Sequence, residues 1–240
     1  FNYIGRSTPV SYMRFTQPIT LKSLQIKAFP YFYYSVFNRP INFNQLQIKP
    51  ILYMTRNIFK GDVSLLYSDL YRQAYLGHNI FQHNFLFYRI QCHHMCVFVA
   101  SQFMGTAQFS HNVFYNLAVF DHVYFKKPVN ILHSEFEDVA LFNRAKFDSG
   151  IAFEKDRFFK GLGLAGANIK GNVVFKKTKI SGLLDLHNLH ITNGVVNLIH
   201  LKPLTHNKKI PIDLLGVDMF KLRINYADFI LKFATHTPYS

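Results

Sequence analysis

Four features of the chain carry residue types that do chemistry in other proteins. GLGLAG (161–166) has the G-x-G-x-x-G spacing that seats a pyrophosphate on a helix N-terminus, and Asp185 follows at the distance where a ribose hydroxyl is read. That chemistry needs a strand before the glycines and a helix after them. NIKGNVVF (168–175), with a glycine and β-branched valines, is poor helix material, so the glycines read as turn residues and no cofactor is assigned. CHHMC (92–96) offers Cys92, His93, His94 and Cys96, the usual ligands of a soft metal. Asp156 is a carboxylate in an apolar neighbourhood. Tyr67, Arg89, His111, His133, Lys155 and Lys177 recur every 22 residues, with Lys176 and Lys179 close by. A column of stacked cations attracts anions and repels itself, so this set, from Arg89 to Lys177 with Lys176 and Lys179, is the candidate partner-binding column. No nucleophile elbow, P-loop, zincin or EF-hand sequence occurs, and no residue is assigned a catalytic role.

What positions these residues is a repeat. Starting at Ile4 and Val10 and continuing in alternating steps of five and six, every site through Ile191 is apolar, and 19 of the 26 phenylalanines fall on the series. The residue two before each site is also uncharged, Asp156 excepted. Both sets therefore face inward. A hendecad coiled coil has the same period, but five residues of α-helix turn about 500°, which scatters alternate sites off any one stripe. Paired inward residues at i−2 and i fit a short strand instead, with a turn every five or six residues. The series predicts an all-β, quadrilateral parallel β-solenoid of about 22 residues per coil. Phe37, Phe59, Phe81, Phe103, Phe125 and Phe147 then share one core column at roughly 4.8 Å per coil. In this frame Cys92 and Cys96 point inward while His93 and His94 point outward, so the four cannot converge on a metal, and buried reduced thiols favour no oxidising compartment. Ser134 and Thr178 lie one coil to either side of Asp156, within reach of a hydrogen bond, and Asn57, Asn79 and Ser101 form a similar polar column.

The phase fails at Asn197. The solenoid is accordingly assigned to residues 1–196 and a closing segment to 197–240, in which 212–224 reads as strand and NYADFILKF (225–233) as a short amphipathic helix opened by Asn225. The register is already in phase at Ile4, which predicts a preceding segment, an end-to-end contact or another subunit covering the N-terminal coil.

These residues resemble the pentapeptide-repeat family in its variant of alternating five- and six-residue units. VALFNRAKF (139–147) and GLAGANIKG (163–171) show its signature, a small residue two before a Phe or Leu. The resemblance implies a right-handed coil with a stacked aromatic interior. The chain departs from it at i−2, where 13 of 35 sites are Ala, Ser, Thr or Cys; Leu46, Leu52, Phe85 and Leu162 are large there and predict local distortion of the coil. Some relatives imitate DNA, others are bacterial effectors delivered into host cells or modules of longer proteins.

Charge selects among these. With 27 Lys+Arg against 13 Asp+Glu the net charge is +14, the opposite of what a DNA mimic requires. Residues 1–61 alone hold eight Lys/Arg and no acid. Half the chain is hydrophobic (49%), which excludes a disordered polar chain, and neither a membrane-spanning run nor a signal peptide is seen. The expectation is a non-catalytic scaffold that binds an acidic protein, in a bacterial cytoplasm or a host cell. The alternative is nucleic acid or anionic membrane on the basic stripe.

Overall fold

The computed structural model describes residues 9–28, 31–205 and 208–232. Among these the chain winds through four parallel sheets of eleven, nine, ten and nine strands, each strand pairing with those one coil before and after it. Through the regular part the partners are 22 residues apart: Phe37 beside Phe59, Leu65 beside Phe87, Leu70 beside Cys92. This is the predicted quadrilateral β-solenoid. The only helical segments among the described residues are two 3-10 turns, Met219–Lys221 and Tyr226–Asp228.

The alternation of five and six has a direct cause in the backbone. In every five-residue step the residue two past the inward site adopts a left-handed conformation, φ about +50° to +60°, at intervals of eleven from Tyr12 to Asn188. Among the described residues of the six-residue steps, positive φ occurs only at glycines, Gly150, Gly161, Gly171 and Gly182. The five-residue step thus closes its corner by reversing the sign of φ whatever the residue, whereas the six-residue step has an extra residue and does so only where glycine is present.

Inside, the phenylalanines stack. Ring centroids from Phe37 to Phe147 are 4.8–5.1 Å apart with interplanar angles of 5–18°. Shorter stacks run through Phe98, Phe120 and Phe142 and through Phe114, Phe136 and Phe158. Parallel strands force identical side chains into register at the strand spacing, which is also a good spacing for offset rings.

The large residues at i−2, Leu46, Leu52, Phe85 and Leu162, are all buried, and the strands of Leu52, Phe85 and Leu162 keep the regular register. Phe85 is buried and lies in register between Val63 and Ala107, Leu52 is beside Ala74, and Leu162 follows Ala140. A small residue one coil away takes up the extra volume, which keeps the packing dense without shifting the backbone.

Beyond Asn197 the fold departs from the sequence reading. The coil continues; only its phase changes. One added residue moves the pairing offset to 23, with Val173 beside Val196 and Lys179 beside Lys202. The offset then grows to 28, so that Leu184 pairs with Ile212. Val196, Leu198, Leu201, Ile210 and Ile212 extend the same buried core. The expected strand over 212–224 breaks after Asp213, turns at Gly216 (φ 72°) and resumes at Leu222–Arg223. The expected helix is one 3-10 turn. Asn225 caps it as anticipated, accepting from the Ala227 amide, but Phe229–Leu231 returns to extended backbone beside Ile210–Ile212. Nine residues are too few for a stable isolated helix, whereas an open parallel edge offers every amide a partner. The N-terminal residues that carry the expected cover, 1–8, and Phe233 at the end of the expected helix lie outside the described residues.

Candidate interaction surface

The predicted column falls on one set of left-handed corners. Tyr67, Arg89, His111, His133, Lys155 and Lys177 have φ of 50°, 52°, 58°, 53°, 59° and 55°, and all six are exposed. For an L-residue this conformation costs roughly 1–2 kcal/mol, and glycine is free of the cost. The side chains stand off the corner as a file, one per coil.

Their electrostatics are less uniform than the residue types imply. The Arg89 guanidinium sits 5.6 Å from the ring centroids of both Tyr67 and Tyr88. His111 and His133 stack at 4.8 Å and 8°. Partial desolvation, then the neighbouring His133 and Arg89, hold the His111 imidazole below its ordinary range, so it resists becoming cationic at neutral pH. Lys155 and Lys177 make no ion pair among the described residues. Lys176 does: its Nζ is 3.0 Å from Glu154 Oε1, and its charge is locally cancelled. Lys179 lies on a sheet face between Arg157 and Lys202, with Arg157 bridged to Glu135 at 3.1 Å. The column therefore has strong cations at Arg89, Lys155 and Lys177, separated by a titratable histidine pair.

A second corner file lies half a coil away and follows the same 22-residue arithmetic. It reads Tyr12, Tyr34, Arg56, His78, Ala100, His122, Arg144, Gly166 and Asn188. Tyr12 and Tyr34 stack at 5.3 Å, and Arg56 lies 5.6 Å over Tyr34. Beside this file, Tyr31, Tyr53 and Tyr75 recur on one sheet and, with Tyr33 and Ile51, line a shallow open depression of about 390 Å³. Three tyrosines at 22-residue spacing are as regular as the phenylalanines, but they alternate with the inward sites and so lie outside the apolar series.

The remaining motifs are absorbed by the coil. Gly161–Gly163 is a strand with Leu162 turned inward, Gly161 (φ 141°) and Gly166 (φ 63°) take positive φ, and no helix follows. Asp185 lies in register beside Gly163 as a strand neighbour. Cys92 and Cys96 are buried free thiols, burial pushing the Cys92 pKa well up, while His93 is sandwiched between Tyr71 and Tyr115 at 4.9 and 5.1 Å on the outer face.

Asp156 belongs to a buried polar ladder with Asn112, Ser134 and Thr178. In this column and in its counterpart through Asn57, Asn79 and Ser101, most buried side chains accept from the backbone amide 22 residues earlier: Asn79 from Asn57, Asn112 from Ile90, Asp156 from Ser134 at 2.7 Å. The asparagines and Thr178 also donate to the carbonyl 25 residues earlier, Asn79 to Met54, Asn112 to Phe87 and Thr178 to Phe153, whereas Ser68 and Ser134 donate to the carbonyl two residues earlier. Thr178 thus uses its hydroxyl on backbone and does not reach Asp156 as expected. Asp156 Oδ2 is buried without a hydrogen-bond partner, and burial pushes the carboxyl pKa up to about 8.

No family model matches the chain, no curated protein matches it, and no solved structure matches it.

Proposed function

We propose that this protein is a non-catalytic recognition rod, a divergent pentapeptide-repeat solenoid whose corner files grip an acidic protein. The observation that carries the reading is where the cations sit. Left-handed corners are filled by Arg, His, Lys and Tyr at position after position, although glycine or asparagine would relieve the strain. Side chains kept at an energetic cost to the fold are the ones to examine for function. Tyrosine and arginine are also the residues that dominate protein–protein hot spots, and here they adjoin one another at Arg56–Tyr34 and Arg89–Tyr67. The core supports the reading by what it does not offer, since its interior is filled with stacked rings and leaves the surface to do the recognition.

The test compares capture by the full chain with capture by an Arg89→Ala/Lys155→Ala/Lys177→Ala variant, across salt concentrations and with nuclease. A saturable protein complex that withstands nuclease and moderate salt, and is weakened in the variant, fits the proposal. Binding that is lost to nuclease, or falls linearly in log–log salt on single-stranded DNA or phosphatidylserine vesicles, transfers the column to nucleic acid or membrane. Identical capture by both proteins removes the column from recognition.

A further inference from the structure

The irregular turn near the C-terminal end builds a site that the regular coils lack. Lengthening of the coil over 201–211 brings Asp213 into register beside Asp185 on the neighbouring parallel strand. In a chain with 13 acidic residues against 27 basic ones, two carboxylates are thus placed directly opposite each other. Such like-charged neighbours repel across a strand pair. His187 joins them from two residues past Asp185, its Nδ1 2.6 Å from Asp185 Oδ1. One donor atom from each of Asp185, His187 and Asp213 lies within 4.8 Å of the other two.

The local backbone fixes the carboxylates. Asp185 Oδ1 accepts from the His187 amide at 3.1 Å, and Asp213 Oδ1 accepts from the Leu215 amide at 3.0 Å. Asp213 is fully buried, and its Oδ2 has no hydrogen-bond partner. A buried carboxylate oxygen without a partner is costly, and beside a second carboxylate doubly so. Asp185 and His187 are half-buried, which leaves a way in from solvent. A cation placed among the three answers both the repulsion and the orphaned oxygen.

We propose that Asp185, His187 and Asp213 form a binding site for a divalent transition-metal ion, of the kind that takes two carboxylate oxygens and one imidazole. Bond lengths for zinc with these donors are about 2.0–2.2 Å, so three protein atoms with water completing the shell suit Zn²⁺, and Mn²⁺ or Co²⁺ accept the same donors. The ion ties Asp213, which lies past the phase break, to Asp185 in the preceding coil, and so fastens the irregular end to the regular rod. The site uses none of the residues from Arg89 to Lys177 in the cationic column and does not rest on their binding a partner.

Calorimetric titration of Zn²⁺ into the chelator-treated, tag-free full chain tests the site, with Co²⁺ absorption as a spectroscopic readout. The expected result is one saturable equivalent and a rise in the thermal midpoint with metal. In Asp213→Asn, which retains an acceptor for the Leu215 amide, and in His187→Gln, at a half-buried position, affinity falls by more than about tenfold with the circular dichroism unchanged. Absence of a one-to-one event with Zn²⁺, Mn²⁺ and Co²⁺ alike overturns the proposal. So does binding that persists at full strength in the double variant, which would put the ion on surface histidines such as His111 and His133.

Discussion

Replacing Asp156 by Asn should stabilise the rod at neutral pH and abolish a slope in its pH-stability profile. Asp156 is wholly buried, and its carboxyl pKa is about 8 in the fold against 3.8 as the ordinary value. Between those two pH values the folded state binds the proton that the unfolded state has released, so stability falls as pH rises. The contribution is whole below pH 3.8, erodes through the neutral range and is lost above pH 8. At 1.36 kcal/mol per pH unit, the full loss is about 6 kcal/mol, of which about 4 has accrued by pH 7. Asparagine carries no such penalty. It keeps the acceptor for the Ser134 amide, and its amide donates to the carbonyl 25 residues earlier, that of Ile131, by the rule that Asn112 follows with Phe87. The neutral acid completes the same rung with its own proton.

Denaturant unfolding of both proteins from pH 5 to pH 9 measures this, and the difference between them cancels every other titrating group. Asp156→Asn should gain on the wild type with rising pH and level off above pH 8, with an advantage of up to about 4 kcal/mol at pH 7. Parallel profiles would refute the reasoning, because they would mean that the carboxylate is ionised in both states. A variant less stable than wild type at pH 7 would refute it too, by showing that the rung uses the charge.

Three other outcomes are expected. Phe103→Ala, which empties a place between Phe81 and Phe125 at 4.8 and 4.9 Å, should cost about 3–5 kcal/mol in the same unfolding assay, and more than Phe15→Ala, whose ring is only half-buried. Ala100→Gly and Lys155→Gly each relieve a left-handed corner and should stabilise by up to about 1 kcal/mol, whereas Lys155→Ala should leave stability unchanged; equal effects of Gly and Ala would deny the strain. His111 should titrate by NMR below an ordinary histidine, and His133→Ala should raise it without restoring it, because desolvation is the larger cause. Partner affinity, if it runs through this column, then strengthens as pH falls through that titration.

The coil was legible because its cause is arithmetic. A square solenoid demands an inward side chain every five or six residues, and Phe37 through Phe147 display that demand without interruption, so size and number of coils follow from counting. The path after Ile191 was not legible for the same reason. A single inserted residue destroys the phase without destroying the strands, and nothing local in Val196, Ile212 or Phe229 says which earlier strand each will join. The Asp185–His187–Asp213 cluster depends on that irregular offset and is invisible to a 22-residue count. The basic file is legible by period alone, and the same 22-residue count sets Glu154 beside Lys176, but the backbone strain and the depressed His111 are consequences of three-dimensional neighbours.

These features divide labour along the cross-section of the rod. Stability comes from the interior, where each coil adds a ring to a stack and a rung to a ladder, and where lesions are felt by the nearest coils. Recognition, on the reading proposed here, comes from the five-residue corners, whose left-handed backbone turns the side chain outward whatever its identity. Because the conformation is imposed by the spacing of the core and not by the corner residue, exchanging one corner side chain for another alters binding chemistry while leaving the coil closed. Only glycine changes both, adding stability as it removes the contact. A corner-by-corner series of glycine and alanine replacements would therefore separate the two: positions where Ala lowers partner affinity and Gly lowers it equally while raising stability are recognition sites, and positions where neither changes affinity are spacers.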